Sequence, residues 1–133
     1  MRTTLLGLAS VVLLVTACNK DAGEGGKAEI HGIVYEQEYN NNTGVPIGDP
    51  YPIAEQRVYI IYGAGDYADD DTRTEPDGTF RFPWLRKGDY QVYVVSECDP
   101  DSCDNGTQGI YASVEIGDRK EVVVMDTLLI ENW

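Results

Sequence analysis

Apolar and polar side chains alternate along this chain from residue 28 onward, and this period of two limits the fold more than any other feature. Apolar residues occupy every second position in AEIHGIVYEQ, QRVYIIYG, TFRF, GDYQVYVVSE and QGIYASVEIG, and KEVVVMDTLLIEN adds a last strand rich in β-branched residues. Such alternation predicts β-strands, and no stretch of ten or more residues combines helical spacing with capping residues. We therefore predict an all-β protein, a single antiparallel β-sandwich of about seven strands.

Residues 1–17 have the three parts of a secretory signal peptide. Arg2 opens the segment, an apolar run follows, and small residues precede Cys18. The apolar run is shorter than the roughly 20 residues that a membrane span needs. Val15-Thr16-Ala17-Cys18 resembles a bacterial lipobox, which implies that Cys18 is the mature N-terminus and the lipid attachment site. The alternative is an ordinary signal peptide that is cut near Ala17 and leaves Cys18 as a free thiol.

The glycine-rich residues that follow Cys18 predict a flexible tether. We assign residues 18–26 to the lipidated cysteine and this tether, which would reach roughly 15 Å on average, and residues 27–133 to the β-sandwich domain. Lys20-Asp21 resembles the export signal of surface lipoproteins in Bacteroidota. The predicted location is the bacterial cell envelope, as an outer-membrane lipoprotein held by its lipid, with surface exposure and a periplasm-facing position both left open.

The chain is strongly acidic, with a formal net charge of −13 at pH 7. Removing residues 1–17, which contain Arg2 and no acidic residue, changes this charge to −14. Such a charge repels nucleic acid, so we predict no nucleic-acid partner. It is typical either of a well-solvated surface or of cation binding at a few acidic loops.

The run TEPDGTFRFPWLRKGDYQVYV at residues 74–94 resembles the repeated pattern of carboxypeptidase-regulatory-like domains, also described as transthyretin-like or Cna-B-like. Ile30-x-Gly32-x-Val34 resembles the first strand of that family, so the resemblance covers residues 29–96. It implies a transthyretin-like or Ig-like sandwich in which Asp77-Gly78 forms a turn. It also implies inward-facing side chains at Phe80, Phe82, Leu85, Tyr90 and Val92. Domains of this family are mostly non-catalytic modules with structural, adhesive or ligand-binding roles.

Two cysteines remain in the predicted domain, Cys98 and Cys103 in SECDPDSCDNG. In an exported protein this spacing predicts a small-loop disulfide. A metal-binding pair is the alternative, although no second cluster of cysteine or histidine completes a zinc site.

Two long connections, residues 36–55 and 63–72, are the predicted binding surfaces, because loops at the end of a rigid sandwich often carry function. The second connection contains Asp66, Asp69, Asp70 and Asp71, which form either a calcium site or a merely solvated acidic loop. Three tyrosines in these predicted loops could stack on sugars or on a protein partner. They are Tyr39, Tyr51 and Tyr67, while the other tyrosines are interpreted as ordinary strand residues.

Catalysis is not predicted. His31 is the only histidine, so no histidine-based triad can be assembled, and no cofactor other than calcium is suggested. The first functional hypothesis is a lipid-anchored envelope protein with a non-catalytic structural, adhesive or protein-interaction role. The alternative is a glycan- or calcium-binding surface lipoprotein that uses the acidic loop and the loop tyrosines. The partner is therefore an unknown envelope or extracellular protein or a glycan.

Overall fold

The computed structural model describes residues 21–133, so the predicted signal peptide and Cys18 lie outside the described residues. The described part is all β, with nine strands and no helix, and it contains no helix that could span a membrane. The strands are β1 (Glu24–Tyr39), β2 (Pro46–Pro52), β3 (Arg57–Tyr62), β4 (Asp70–Arg73), β5 (Thr79–Leu85), β6 (Gly88–Glu97), β7 (Thr107–Ile116), β8 (Val122–Val124) and β9 (Leu128–Asn132).

The 16-residue strand β1 connects the two halves of the sheet. Its first half lies between β5 and β8, and its second half lies between β2 and β9. The larger half continues from β9 through the end of β6, and β6 in turn pairs with β3 and β7 on its two sides. Register shifts along β1 help the mixed sheet curl into a half-barrel rather than lie flat.

The all-β prediction is confirmed, but its details differ from the structure. The described strands number nine rather than seven, and β1 runs parallel to both β8 and β9, so the sheet is mixed rather than antiparallel. The last predicted strand is divided at Met125–Thr127 into β8 and β9. The two parts pair with the two halves of β1, β8 with Glu29–His31 and β9 with Val34–Glu38, in registers that differ by one residue.

The core lies inside the curl and follows the predicted alternation. The inner-facing residues predicted from residues 74–94 are all buried. Gly32 has a packing role here, because a β-carbon at this position would collide with the ring of Phe80. The core residues are Ala28, Ile30, Val34, Val58, Ile60, Phe80, Phe82, Leu85, Tyr90, Val92, Val94, Val114, Ile116, Leu128 and Ile130.

The predicted loop 36–55 is largely a β-hairpin. β1 continues to Tyr39, and β2 returns along it with Tyr51 opposite Glu36 and Pro46 opposite Tyr39. The turn between the strands is closed by Asn40, whose side-chain oxygen accepts hydrogen bonds from the N–H groups of Asn42 and Thr43. β2 is exposed along its whole length and contains three prolines, which is typical of an edge strand.

The predicted flexible tether also differs from the structure, because residues 21–26 pack against the domain. The Arg86 Nε donates to the carbonyl oxygen of Asp21 at 2.7 Å, and the Arg86 N–H donates to that of Gly23 at 2.8 Å. A β-carbon at Gly26 would collide with the backbone carbonyl of Leu85. The glycines thus allow close backbone packing here, and residues 21–26 are part of the packed domain.

We name the end of the molecule where these contacts occur the basal end, formed by residues 21–27, 63–69, 84–89 and 117–121. The Gly63 N–H donates to the Asp89 carbonyl at 2.8 Å, and Gly88 pairs with Ile116 just before the last of these segments. The hydroxyl of Tyr90 accepts from the Gly23 N–H at 2.9 Å and donates to the Arg86 carbonyl at 2.6 Å. A buried tyrosine therefore ties the first described residues to the sheet.

Candidate functional site

The structure joins Cys98 and Cys103 in a disulfide, with their Cα atoms 6.3 Å apart, which confirms the predicted pairing. The bridge closes a short loop between β6 and β7. Within this loop the Asp99 carbonyl accepts from the N–H groups of Ser102 and Cys103, at 2.8 and 3.2 Å. The bond therefore shapes the connection between two paired strands.

The four aspartates of the predicted acidic loop do not converge on one point. Asp69 accepts a hydrogen bond from the Tyr62 N–H at 2.7 Å, and Asp71 lies 3.9 Å from the Nε of Arg57. Asp70 and Asp71 belong to β4, where successive side chains point to opposite faces, and Asp66 lies in the preceding loop. Within residues 21–133 there is no group of three or more acidic, histidine or cysteine side chains that could hold a metal ion.

The three tyrosines predicted to bind a ligand belong to three different elements. Tyr39 and Tyr51 belong to strands rather than loops, whereas Tyr67 is in the loop between β3 and β4 and is 86% exposed. Tyr39 stacks on Trp133, with ring centroids 4.4 Å apart. The Tyr51 hydroxyl lies 2.7 Å from a Glu36 oxygen and 3.0 Å from a Glu38 oxygen, and these hydrogen bonds raise the pKa of Tyr51.

Three other tyrosines form a continuous row on the outer face of the large sheet. Tyr59 in β3 pairs with Tyr93 in β6, and Tyr93 pairs with Tyr111 in β7. The ring centroids are 4.9 Å apart at an interplanar angle of 14° for the first pair, and 4.8 Å apart at 25° for the second. These values describe an offset stack, in which each ring covers part of the next. We call these three residues the tyrosine row.

Tyr111 ends the tyrosine row on β7 and is 60% exposed, so it offers the largest free ring surface of the three. Its ring leans over Gly109, two residues earlier on the same face, where a β-carbon would collide with the ring. Gly109 therefore leaves room for the position that Tyr111 adopts. A glycine in this strand has a specific use, because it lets a neighbouring aromatic ring lie close to the backbone.

The surroundings of the tyrosine row combine apolar and polar groups. Asp71 lies opposite Tyr59 at one end of the row, and Gln91 and Ser113 form the neighbouring cross-strand pair along one side. Val95 lies opposite Gly109 along the other side and is 45% exposed. Burial raises the pKa of the Tyr93 hydroxyl, and the phenols of Tyr111 and Tyr59 raise it further. The middle hydroxyl, like any tyrosine hydroxyl at neutral pH, is protonated and can donate a hydrogen bond.

The sequence contains a signal for the tyrosine row, although not for its register. Tyr59, Tyr93 and Tyr111 each alternate with apolar residues that point inward, such as Val58 and Val92, so each must point outward. Interpreting these tyrosines as ordinary strand residues missed that they occupy one line across three strands. The line depends on the pairing of β3, β6 and β7, which the spacing of the residues does not determine.

A groove of about 800 Å³ lies over the outer face of β5 and the first half of β1. Residues that line it include His31, Arg73, Arg81, Pro83 and Val124. The His31 Nε2 lies 2.6 Å from a Glu29 oxygen, so the only histidine has a partner on its own strand. Glu75 also lines the groove beside the two arginines, and the polar side chains of the lining do not form the triad that acyl transfer needs.

No model of a protein family matches this chain, and no curated protein resembles it significantly. The resemblance to carboxypeptidase-regulatory-like domains is therefore one of sequence pattern. Among solved structures, the fold is similar to a crystal structure from Pseudomonas aeruginosa described as a "putative carbohydrate binding protein". The two chains are 12% identical, with a TM-score of 0.48, and the match covers 84% of this chain and 92% of the other.

Proposed function

We propose that this chain is a non-catalytic, lipid-anchored protein of the bacterial cell envelope that binds a glycan on its tyrosine row. The observation that carries the proposal is the alignment of Tyr59, Tyr93 and Tyr111 on one outer face, with the end ring largely exposed. Sugar rings present apolar C–H faces that pack on aromatic rings, and their hydroxyls need polar partners at the rim. Gln91, Ser113 and Asp71 surround the row and supply such partners.

The other parts of the proposal rest on the sequence. The lipobox-like residues before Cys18 support anchoring in the outer membrane through a lipid, and the single histidine supports a non-catalytic role without a cofactor. The resemblance of residues 29–96 to carboxypeptidase-regulatory-like domains supports the same role, since such domains mostly act as accessory modules. The row would then face away from the protein's core toward glycans outside the cell or in the periplasm.

Glycan binding is tested with the detergent-solubilised full-length protein and a panel of purified bacterial and host polysaccharides, measured by calorimetry. We expect at least one saturable ligand, and about tenfold weaker binding for Tyr111→Ala, which corresponds to about 1.4 kcal/mol. Tyr67→Ala is the matched control, because this tyrosine is more exposed but lies outside the row. Equal losses for the two variants, or no binding to any polysaccharide, would contradict the proposal.

A second candidate function is recognition of an extended segment of a partner protein along β7. Among the described strands only β6 pairs with β7, and the ten residues of β7 include no proline. A partner strand could therefore add to this edge. Amide hydrogen exchange separates the two functions: a strand partner would protect the N–H groups on the outer edge of β7, whereas a glycan on the tyrosine row would leave them exchanging as before.

A further inference from the structure

The two aromatic side chains in the segments of the basal end are both largely exposed to solvent. Trp84 is 67% exposed in β5, and Tyr67 projects from the loop that starts beside Asp89. Trp84 also has a φ of 59°, in the left-handed region that favours glycine. A non-glycine residue in this conformation costs about 1 kcal/mol or more. This conformation interrupts the alternation of β5, so that Leu85 rather than Trp84 enters the core. It leaves the indole in solvent, where it is available for contact with something outside the domain.

The charge of the basal end differs from that of the rest of the domain. Of the eight lysines and arginines from residue 21 onward, five lie in the segments of the basal end, but only seven of the 23 acidic residues do. The remaining surface carries three basic and sixteen acidic residues. The basic residues of the basal end are Lys27, Arg86, Lys87, Arg119 and Lys120. This end is therefore much less repelled by an anionic surface than the rest of the molecule is.

The length of chain before the domain limits where the basal end can lie. Only Asn19 and Lys20 separate Cys18 from Asp21, whose carbonyl is already bonded to Arg86. Three residue steps span at most about 11 Å even when fully extended. If Cys18 carries a lipid, Asp21 must lie within about that distance of the lipid headgroups, and the basal end is then the end of the domain nearest the membrane.

We infer that the basal end rests on the membrane surface, with Trp84 and Tyr67 at the level of the headgroups. Tryptophan and tyrosine favour this interface because one part of each ring is apolar and the other can donate a hydrogen bond. Lys87, Arg119 and Lys120 then lie beside the lipid phosphates, to which their long side chains can extend. The inference rests on the proposed lipid anchor at Cys18, and it fixes the orientation of the whole domain.

The two tryptophans of the chain allow this orientation to be measured. Trp133 stacks on Tyr39 at the end of β1, whereas Trp84 precedes Leu85, which pairs with Ala28 near the start of the same strand. The 11 residues of strand from Ala28 to Tyr39 span at most roughly 36 Å. Full-length protein purified from a bacterial host is reconstituted into vesicles of phosphatidylethanolamine and phosphatidylglycerol, with or without bromine atoms on the upper acyl chains. The variant Trp133→Phe keeps Trp84 as its only tryptophan, and Trp84→Phe keeps Trp133.

We expect brominated lipid to lower the emission of the Trp133→Phe variant about twofold or more and to leave the Trp84→Phe variant unchanged, because bromine quenches only nearby indoles. If the protein carries its lipid and floats with the vesicles but Trp84 is not quenched, the inference is overturned while the anchor stands. Equal quenching of Trp84 and Trp133 would also overturn it, since the domain would have no fixed orientation. Absence of lipid mass on the N-terminal peptide, with no vesicle flotation, would overturn both the anchor and the inference.

Discussion

The two faces of β6 use the same kinds of residue for different purposes. On the inner face Tyr90 and Val92 are almost fully buried, whereas on the outer face Tyr93 is half-buried and Val95 is exposed. The hydroxyl of Tyr90 bonds to the backbone of Gly23 and Arg86 and holds the first residues of the domain in place. Tyr93 instead stacks between two other tyrosines at the surface. The difference shows that a strand's alternation separates residues that stabilise the fold from residues available to a ligand.

The largest effect on stability is expected from truncating a valine on the inner face of β6, and a valine on the outer face provides the comparison. Val92→Ala removes two methyl groups from the core and leaves a cavity, so the free energy of unfolding should fall by about 2 kcal/mol. Val95→Ala, on the outer face of the same strand, should change it by less than about 0.5 kcal/mol. Urea denaturation followed by circular dichroism measures both values. Similar losses for the two variants would mean that the outer face is covered in the folded protein.

The two tyrosines of β6 give a second comparison. Tyr90→Phe leaves the Gly23 N–H without its buried acceptor, so we expect a loss of about 1–2 kcal/mol and faster amide exchange in residues 22–26. Tyr93→Phe keeps the stacked ring and should cost less than about 0.5 kcal/mol. Hydrogen exchange followed by mass spectrometry locates the change. Unchanged exchange in this segment of Tyr90→Phe would show that other contacts hold it.

Alkaline pH should weaken the fold through the same two residues. Burial raises the pKa of Tyr90 and of Tyr93 above their usual value of 10.0. Since the unfolded chain then ionises first, their contribution to stability is complete below about pH 10 and is lost as the pH rises through the folded-state pKa. Denaturation midpoints measured across this range should therefore decline, and less steeply in Tyr90→Phe. An identical decline in the variant would exclude Tyr90 as a source.

The smallest effect on stability is expected at Gly109, where the added methyl group of Gly109→Ala displaces the ring of Tyr111. Because that ring is mostly exposed and can rotate, the free energy of unfolding should change by about 0.5 kcal/mol or less. The near-ultraviolet circular dichroism of the stacked tyrosines should change clearly, and glycan binding should weaken. Gly44→Ala would be a poor control, since Gly44 has a positive φ. Glu115→Ala is the better comparison, because this exposed residue of the same strand is four positions from Tyr111 and is not among the proposed glycan partners.

The buried half of this fold could be predicted from the sequence, because alternation reports directly on which side chains face inward. The positions of Phe80, Phe82, Tyr90 and Val92 followed in this way, whereas the inward position of Leu85 was implied by the resemblance of residues 74–94 to carboxypeptidase-regulatory-like domains. β2 was missed because its three prolines are unfavourable in a strand, and only an edge position accommodates them. Parallel pairing of β1 with β8 and β9 depends on contacts distant in sequence, for which a local pattern has no signal.

The candidate site was harder to predict for two physical reasons. The tyrosine row depends on the register of three strands, and each of its residues alone is an ordinary strand tyrosine. The packing of residues 21–26 depends on backbone contacts of glycines, which carry no side chain to indicate them. Composition alone therefore favoured a flexible tether, although the same glycines allow the close approach that fixes this segment to Leu85 and Arg86.

The central position of β1 has a mechanical consequence. This strand has neighbours on both sides in each half, β5 and β8 first and then β2 and β9. Tension from an anchor at the N-terminus would enter the fold at the start of β1 and act along the strand axis. Hydrogen bonds to two neighbouring strands would then be loaded together in shear, instead of opening one at a time. If the proposed anchor at Cys18 is present, we expect a domain with this connection to stay folded under a pulling force.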